Sequence, residues 1–118
     1  MENYKKLIVW QKSMLLVKET YKLLRFMPKY ENYSLSDQMR RSVVSIPSNI
    51  AEGAGRNSSK EFAHFLSIAR GSRYELETQL LICIELNYLS DEQCKEAFAL
   101  INEVGTILNG FIKKLNLQ

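Results

Sequence analysis

At 118 residues the chain has room for one domain with a single buried core and needs no disulfide staples. Its 46% hydrophobic and 25% charged content is that of an ordinary globular protein, and no stretch approaches the roughly 20 apolar residues of a membrane span. A net charge of +3 leans basic, which speaks for nucleic acid only where the charge gathers on one face.

Four helical segments follow one another. In the first, Leu7, Trp10, Met14, Val17, Tyr21 and Leu24 alternate steps of three and four, the spacing of one buried face. The apolar run Leu7-Ile8-Val9-Trp10 is broken at once by Gln11 and Lys12 and does not read as a secretory signal, so a cytoplasmic location is expected. Pro28 ends this segment, and residues 30–33 form a turn. The second helix opens at Ser34, whose hydroxyl is expected to take an orphan N–H while Asp37 reaches back, and it runs to Gly53 and Gly55. Met39, Val43, Ile46 and Ile50 form its buried face; Arg41, Ser45, Ser48, Glu52 and Arg56 lie opposite. Pro47 interrupts the pattern. It lacks an N–H and crowds the Val43 carbonyl, so it costs about 3 kcal/mol or bends the helix. A bend that shapes helix packing is the expectation, with a direct functional role as the alternative.

Ser58 with Glu61 is expected to form a capping box for the third helix, and Ser90 with Gln93 for the fourth. The third, from about Ser59 to Leu89, would be ~45 Å long at 1.5 Å per residue. Phe62, Phe65, Ala69, Leu76, Leu80 and Cys83 supply one stripe, and Ile68, Leu81, Ile82, Ile84 and Tyr88 add apolar area around the cylinder. A second apolar surface needs a second cover, which predicts self-association; ordinary exposed aliphatics are the alternative. Ser67, Ala69, Gly71 and Ser72 form a small-residue patch that would admit the bent 45–53 segment, unless Gly71 merely weakens the helix by about 1 kcal/mol. Cys94, Ala97, Ile101, Val104, Leu108, Phe111 and Leu115 stripe the fourth helix, in which Gly105 and Gly110 have no evident role. No segment alternates with period two. The expected fold is all-α: one domain over residues 1–118, an antiparallel up-down-up-down four-helix bundle with short connections.

Catalytic signals are weak, and neither an enzyme nor a cofactor is expected. Cys83 and Cys94 lack metal or disulfide-framework spacing, and Cys83 continues an apolar stripe. His64 is the single histidine; Glu61 and His64 have half of a di-iron motif, which one chain cannot complete. Glu75 and Glu77 are two apart on a helix and point different ways, so they make no acid–base pair. Gly53-Ala54-Gly55-Arg56 ends a helix, whereas phosphate cradles open one.

Charge offers more. Lys5, Lys6, Lys12, Lys113 and Lys114 collect near the chain ends, which share one end of an even-numbered bundle. Lys5, Lys6, Lys113 and Lys114 would then cluster, with Lys12 further inward, as a phosphate-binding surface or simply a solvated one. Lys18, Lys22, Arg25 and Lys29 line the later half of the first helix. Arg40, Arg41, Arg70 and Arg73 are secondary candidates because Asp37 and Glu77 are near in sequence. For base stacking, Tyr4 is the aromatic that stands out.

A longer pattern runs through Trp10, Pro28, Glu31, Leu35, Gln38 and Arg40-Arg41 into Ser45-Ile46-Pro47-Ser48-Asn49-Ile50-Ala51-Glu52-Gly53. It continues with Phe62, Phe65-Leu66, Ile68-Ala69, Gly71-Ser72 and Glu75-Leu76-Glu77-Thr78. This resembles the small four-helix-bundle family encoded within intervening sequences of bacterial 23S ribosomal RNA genes, to which accessory proteins of diversity-generating retroelements are related. Ser34, where glycine is usual, and Arg73, where an apolar residue is common, depart from it. The resemblance implies a ring-like homo-oligomer, a pentamer in relatives, associated with structured RNA or with a reverse transcriptase and its nucleic acid. It also assigns Pro47, Asn49, Glu52, Gly53, Gly71, Ser72, Glu75 and Glu77 to the family motif and its packing. The functional expectation is a non-enzymatic oligomer that binds RNA or DNA through basic surfaces repeated by symmetry; a protein-binding scaffold without nucleic-acid contact is the alternative.

Overall fold

Serine caps open two of the four helices. In the computed structural model, which describes residues 3–118, the four are α1 (Ile8–Leu24), α2 (Leu35–Ala54), α3 (Ser59–Glu85) and α4 (Asp91–Asn116). Single 3-10 turns lie at Tyr4–Lys6 and Lys29–Glu31, and no strand occurs among the described residues. Ser58 Oγ accepts the Glu61 N–H at 3.1 Å, which is half of the expected capping box; the Glu61 carboxylate accepts no return bond from the Ser58 N–H. Ser90 Oγ accepts from Gln93 N–H at 3.1 Å while Gln93 Oε1 accepts from Ser90 N–H at 2.9 Å, a complete capping box.

The start of α2 is built differently from the expected serine cap. Ser34 makes no cap bond; its hydroxyl donates to the Glu31 carboxylate, and Glu31 Oε1 accepts the Leu35 N–H at 3.2 Å. A full negative charge at the positive end of the helix dipole does the work of the hydroxyl. Asp37, expected to reach back, instead lies 3.7 Å from Arg41 and 4.0 Å from Arg40. α3 also stops earlier than its apolar pattern: Asn87 takes φ 62°, Tyr88 N–H bonds to Cys83 O at 2.9 Å and Asn87 N–H to Ile84 O at 3.0 Å. This is a Schellman stop, with asparagine tolerating the left-handed conformation.

Each helix packs on two others: α2 against α1 and α3, and α4 against α1 and α3. The α1–α3 and α2–α4 diagonals make no close backbone approach, so the helices stand at four corners around one core. Leu16, Met39, Ile46, Ile50, Leu66, Leu76, Leu80, Ile101 and Leu108 fill that core and are fully buried. The face expected of α2 (Met39, Val43, Ile46, Ile50) is the buried one.

α1 corrects its expectation. Val9, Ser13, Leu16, Thr20 and Leu23 are buried, whereas Met14 and Tyr21 are each 43% exposed. Two hydroxyl residues share the true stripe, and Ser13 satisfies its own by donating to Trp10 O at 2.7 Å. A face drawn through apolar residues alone therefore lands one position away. Phe62 and Phe65 are likewise only half-buried on α3, where Ala63 and Leu66 take the core.

Candidate nucleic-acid interface

The motif from Ser45 to Gly53 lies along the seam between α2 and α3. Ser72 Oγ donates to Ser45 Oγ at 2.9 Å, Ser42 Oγ to Gln79 Oε1 at 2.7 Å, and Asn49 Nδ2 reaches both Ser45 O (2.8 Å) and Ser45 Oγ (2.9 Å). Ser45 thus belongs to the α3-facing flank and not to a solvent face. Residue numbers rise along α2 as they fall along α3, from Ser42–Gln79 through Ser45–Ser72 to Gly53 against Phe62 and Phe65. Gly53 is the point of closest approach: a Cβ there would lie 2.8 Å from Phe65 Cβ and 3.2 Å from Phe62 O. Gly71, expected to admit α2, is exposed and would meet nothing within 4 Å. The small-residue patch works through Ser72, and the glycine that matters is on α2.

Pro47 is buried within an uninterrupted α2, beside Tyr4, Trp10, Met14 and Val17. The carbonyls following Val43 receive side-chain donors, Ser48 Oγ to Val44 O at 2.8 Å and Asn49 Nδ2 to Ser45 O, where a proline weakens the helical ladder. Glu52 pairs with Arg56 at 2.7 Å. Glu75 opens onto a shallow polar groove with Gln38, Arg41, Ser42, Ser45 and Gln79. Glu77 makes no ion pair with Arg70 or Arg73 among the described residues.

Most internal cations are already held. Lys12 Nζ lies 2.6 Å from Glu103 Oε2, so it is tied to α4. Arg40 Nη2 donates to Asn32 O at 2.7 Å, and Arg70 Nη1 to Asn109 Oδ1 at 3.1 Å. Arg73 donates Nε to Ile101 O at 2.8 Å, lies 4.8 Å from the Tyr74 ring centroid and fills the space left by the missing side chain of Gly105. That gives Gly105 the role its sequence did not disclose.

Lys5, Lys6, Lys113 and Lys114 are exposed and form no ion pair among the described residues. The 3-10 turn carrying Lys5 and Lys6 packs on α1 and α2 and makes no close backbone approach to α4, whose last turn carries Lys113 and Lys114. Tyr4 turns its ring edge-on to Trp10, with centroids 5.3 Å apart, and is half-buried. Aromatic surface stands free elsewhere: Phe26, Tyr30 and Tyr33 are 62%, 77% and 97% exposed around the turn after α1. Their sequence signal was the alternation of aromatic residues with Arg25 and Lys29.

Both cysteines are core residues. Cys83 Sγ lies 3.6 Å from Met39 Sδ and 3.7 Å from Met27 Sδ, and burial pushes its thiol up to about 11. Burial raises Cys94 as well. Both are protonated core residues at neutral pH. No three or more His, Cys, Asp or Glu side chains gather to hold a metal ion among the described residues, and no helix there is long and apolar enough to cross a membrane. Glu31 is held below the usual carboxylate range by hydrogen bonds from Ser34, Tyr88 and the Leu35 N–H.

Comparison with curated proteins gives no match. Among solved structures, the chain is similar to a protein of unknown function from the S23 ribosomal protein family of Bacteroides thetaiotaomicron. The TM-score is 0.83 at 28% identity, covering 90% of this chain and 99% of that one. The family model for the 23S rRNA-intervening sequence protein matches residues 5–110, which includes the α2–α3 seam and all four helices in whole or large part. The chain belongs to the 23S rRNA-intervening sequence protein family.

Proposed function

We propose that this protein is a non-enzymatic, self-associating bundle of up-down-up-down course that binds structured RNA or another nucleic acid in the cytoplasm. The observation that carries the reading is the contrast among the candidate cations. Lys12, Arg40, Arg41, Arg70 and Arg73 have protein partners, whereas Lys5, Lys6, Lys113 and Lys114 are exposed with none among the described residues. Unpaired lysines act as point charges on phosphate and displace counterions without reading base edges.

Self-association is supported by apolar residues left exposed on two helices that stand diagonally across the bundle. Ile8 and Leu15 lie on α1, and Tyr74, Leu81, Ile82 and Leu86 lie on or just past α3. Two different surfaces suit a head-to-tail contact, which closes into a ring when the rotation allows. The family resemblance implies such a ring, a pentamer, and a ring would repeat each lysine pair and make weak contacts multivalent. One observation favours a second reading, a scaffold for a protein such as a reverse transcriptase: an apolar groove between α1 and α2 is lined by Trp10, Met14, Val17, Val44 and Pro47.

The test is a titration with structured RNA and duplex DNA at several salt concentrations. Replacing all four lysines by glutamine is expected to weaken binding to many sequences alike and to flatten the salt dependence. Absence of binding by the parent at low salt removes the nucleic-acid reading in favour of the scaffold. Unchanged binding by the variant retains the partner and rejects this surface.

A further inference from the structure

The turn after α1 keeps three aromatic rings in water on a backbone that is firmly held. Met27 is buried against Cys83, Arg40 clasps Asn32 O, and Glu31 receives Ser34, Leu35 N–H and the Tyr88 hydroxyl, the last at 2.9 Å. Beside these anchors Phe26, Tyr30 and Tyr33 are exposed. Tyr30 meets Tyr88 edge-on at 6.2 Å, and Tyr33 touches almost nothing at 97% exposure. Folding gains little from such rings; a single exposed aromatic is common, but three within eight residues call for a role.

Charge says what fits there. Residues 18–41 carry six cations (Lys18, Lys22, Arg25, Lys29, Arg40, Arg41) and three carboxylates (Glu19, Glu31, Asp37). Every one of those carboxylates is engaged: Glu19 with Lys22 at 3.7 Å, Glu31 in the α2 cap, and Asp37 with Arg40 and Arg41. Arg25 and Lys29 are exposed, flank the rings in sequence and form no ion pair among the described residues. Exposed Asp91 and Glu92, at the start of α4 beyond the α3–α4 turn, would repel a polyanion and keep it on the α1–α2 side. Flat π surface beside unpaired cations is complementary to unpaired nucleotides, whose bases stack while their phosphates meet the charge. In a duplex those faces are already stacked inside.

We infer that the 25–33 turn is a base-stacking contact for single-stranded segments of RNA, with Phe26, Tyr30 and Tyr33 taking base faces and Arg25 and Lys29 the adjoining phosphates. The inference rests on the nucleic-acid reading above and adds a surface at the far end of α1 from Lys5 and Lys6.

The test compares the full chain with two variants, Phe26→Ala/Tyr33→Ala and Arg25→Gln/Lys29→Gln. The probes are a single-stranded RNA of about twelve nucleotides, within the usual range of site sizes, and the same sequence as a duplex. All four side chains are exposed, and unchanged melting would verify that the fold is intact. The aromatic variant is expected to lose at least about fivefold in single-strand affinity per ring, with the same salt slope and the same duplex affinity. The charge variant is expected to reduce the salt slope by about 1.4, for two phosphate contacts on a single strand. Unchanged single-strand binding by the aromatic variant, or equal loss on the duplex, overturns the inference and leaves the lysine surface standing. A changed solution mass with unchanged RNA binding also overturns it, because the rings would then serve a contact between copies. No RNA binding by the parent at low salt removes both readings together.

Discussion

The same substitution at two motif glycines is expected to act with opposite sign. Gly53 and Gly71 both lie inside helices at φ below zero, so alanine suits either backbone and should add about 1 kcal/mol of helix propensity at each. At Gly71 nothing lies within 4 Å of the new methyl, and that gain stands alone. At Gly53 the methyl would sit 2.8 Å from Phe65 Cβ and 2.9 Å from Phe62 Cδ1, with the Phe62 carbonyl behind it. Cβ and backbone atoms cannot swing aside, so α2 and α3 must part, an overpacking cost of about 1–3 kcal/mol that outweighs the gain. Parting would also stretch the Ser45–Ser72 and Ser42–Gln79 bonds. With about 2.1 cal/mol/K of unfolding entropy per residue, 1 kcal/mol is about 4 °C for a chain of this length. Thermal melting by circular dichroism should therefore show Gly71→Ala above the parent by about 4 °C and Gly53→Ala below it by a similar amount. A rise in both would refute the assignment of Gly53 as the closest approach of the seam.

Gly105→Ala is expected to leave stability within about 1 kcal/mol, because the group in its way is the flexible end of Arg73, which can move at the loss of one hydrogen bond to Ile101 O; chemical denaturation checks this. Thr20 is fully buried and its Oγ1 has no protein partner, so Thr20→Val should raise stability by about 1 kcal/mol in the same assay; a fall would reveal an internal water serving that hydroxyl. The Glu31 carboxyl is depressed in the folded protein, so its contribution is present above the ordinary value of 4.5 and is lost as pH falls through the lowered folded value. Glu31→Gln should therefore lower the melting temperature at pH 7 and make its decline below about pH 4.5 shallower; parallel curves for parent and variant would count against the cap.

Much of the architecture could be read in the residues because helix caps and three-four spacing are local signals. Ser90 and the Met39-to-Ile50 face behaved as their spacing implied, and Ser58 made its half of the expected box. The failures have two physical origins: a side chain arriving from another segment, or a polar residue satisfied within its own helix. Ser34 lost its cap to Glu31, whose reach follows from the Lys29–Glu31 turn. The α1 stripe was misplaced because Ser13 finds a backbone acceptor, which makes a polar residue acceptable in the core. Gly71 and Gly53 were indistinguishable as glycines; only the passage of Phe62 and Phe65 across α2 separates them. At the candidate interface, the lysines were legible by type, but which cations remain unpaired was decided by Glu103, Asn109 and Ile101 on α4.

The motif and the proposed contacts therefore occupy different parts of the molecule, and the division has a physical basis. Ser45, Pro47, Asn49, Gly53 and Ser72 are bound to one another or to neighbouring helices, so their atoms are committed to the α2–α3 seam and its approach to α1. A charge or ring introduced there would meet backbone within a few ångströms. Lys5, Lys6, Lys113 and Lys114, like Phe26, Tyr30 and Tyr33, are exposed side chains whose replacement leaves the core and seam contacts intact. Substitutions in the first group should thus change melting and, through altered packing, any assembly. Those in the second should change binding at constant melting temperature, because surface replacements away from caps and packed sites usually shift stability by under about 0.5 kcal/mol. A motif variant that abolished RNA binding with the melting curve unmoved would show that the seam itself contacts the ligand, and its shallow polar groove of Gln38, Arg41, Ser42, Ser45, Glu75 and Gln79 would be the place to look.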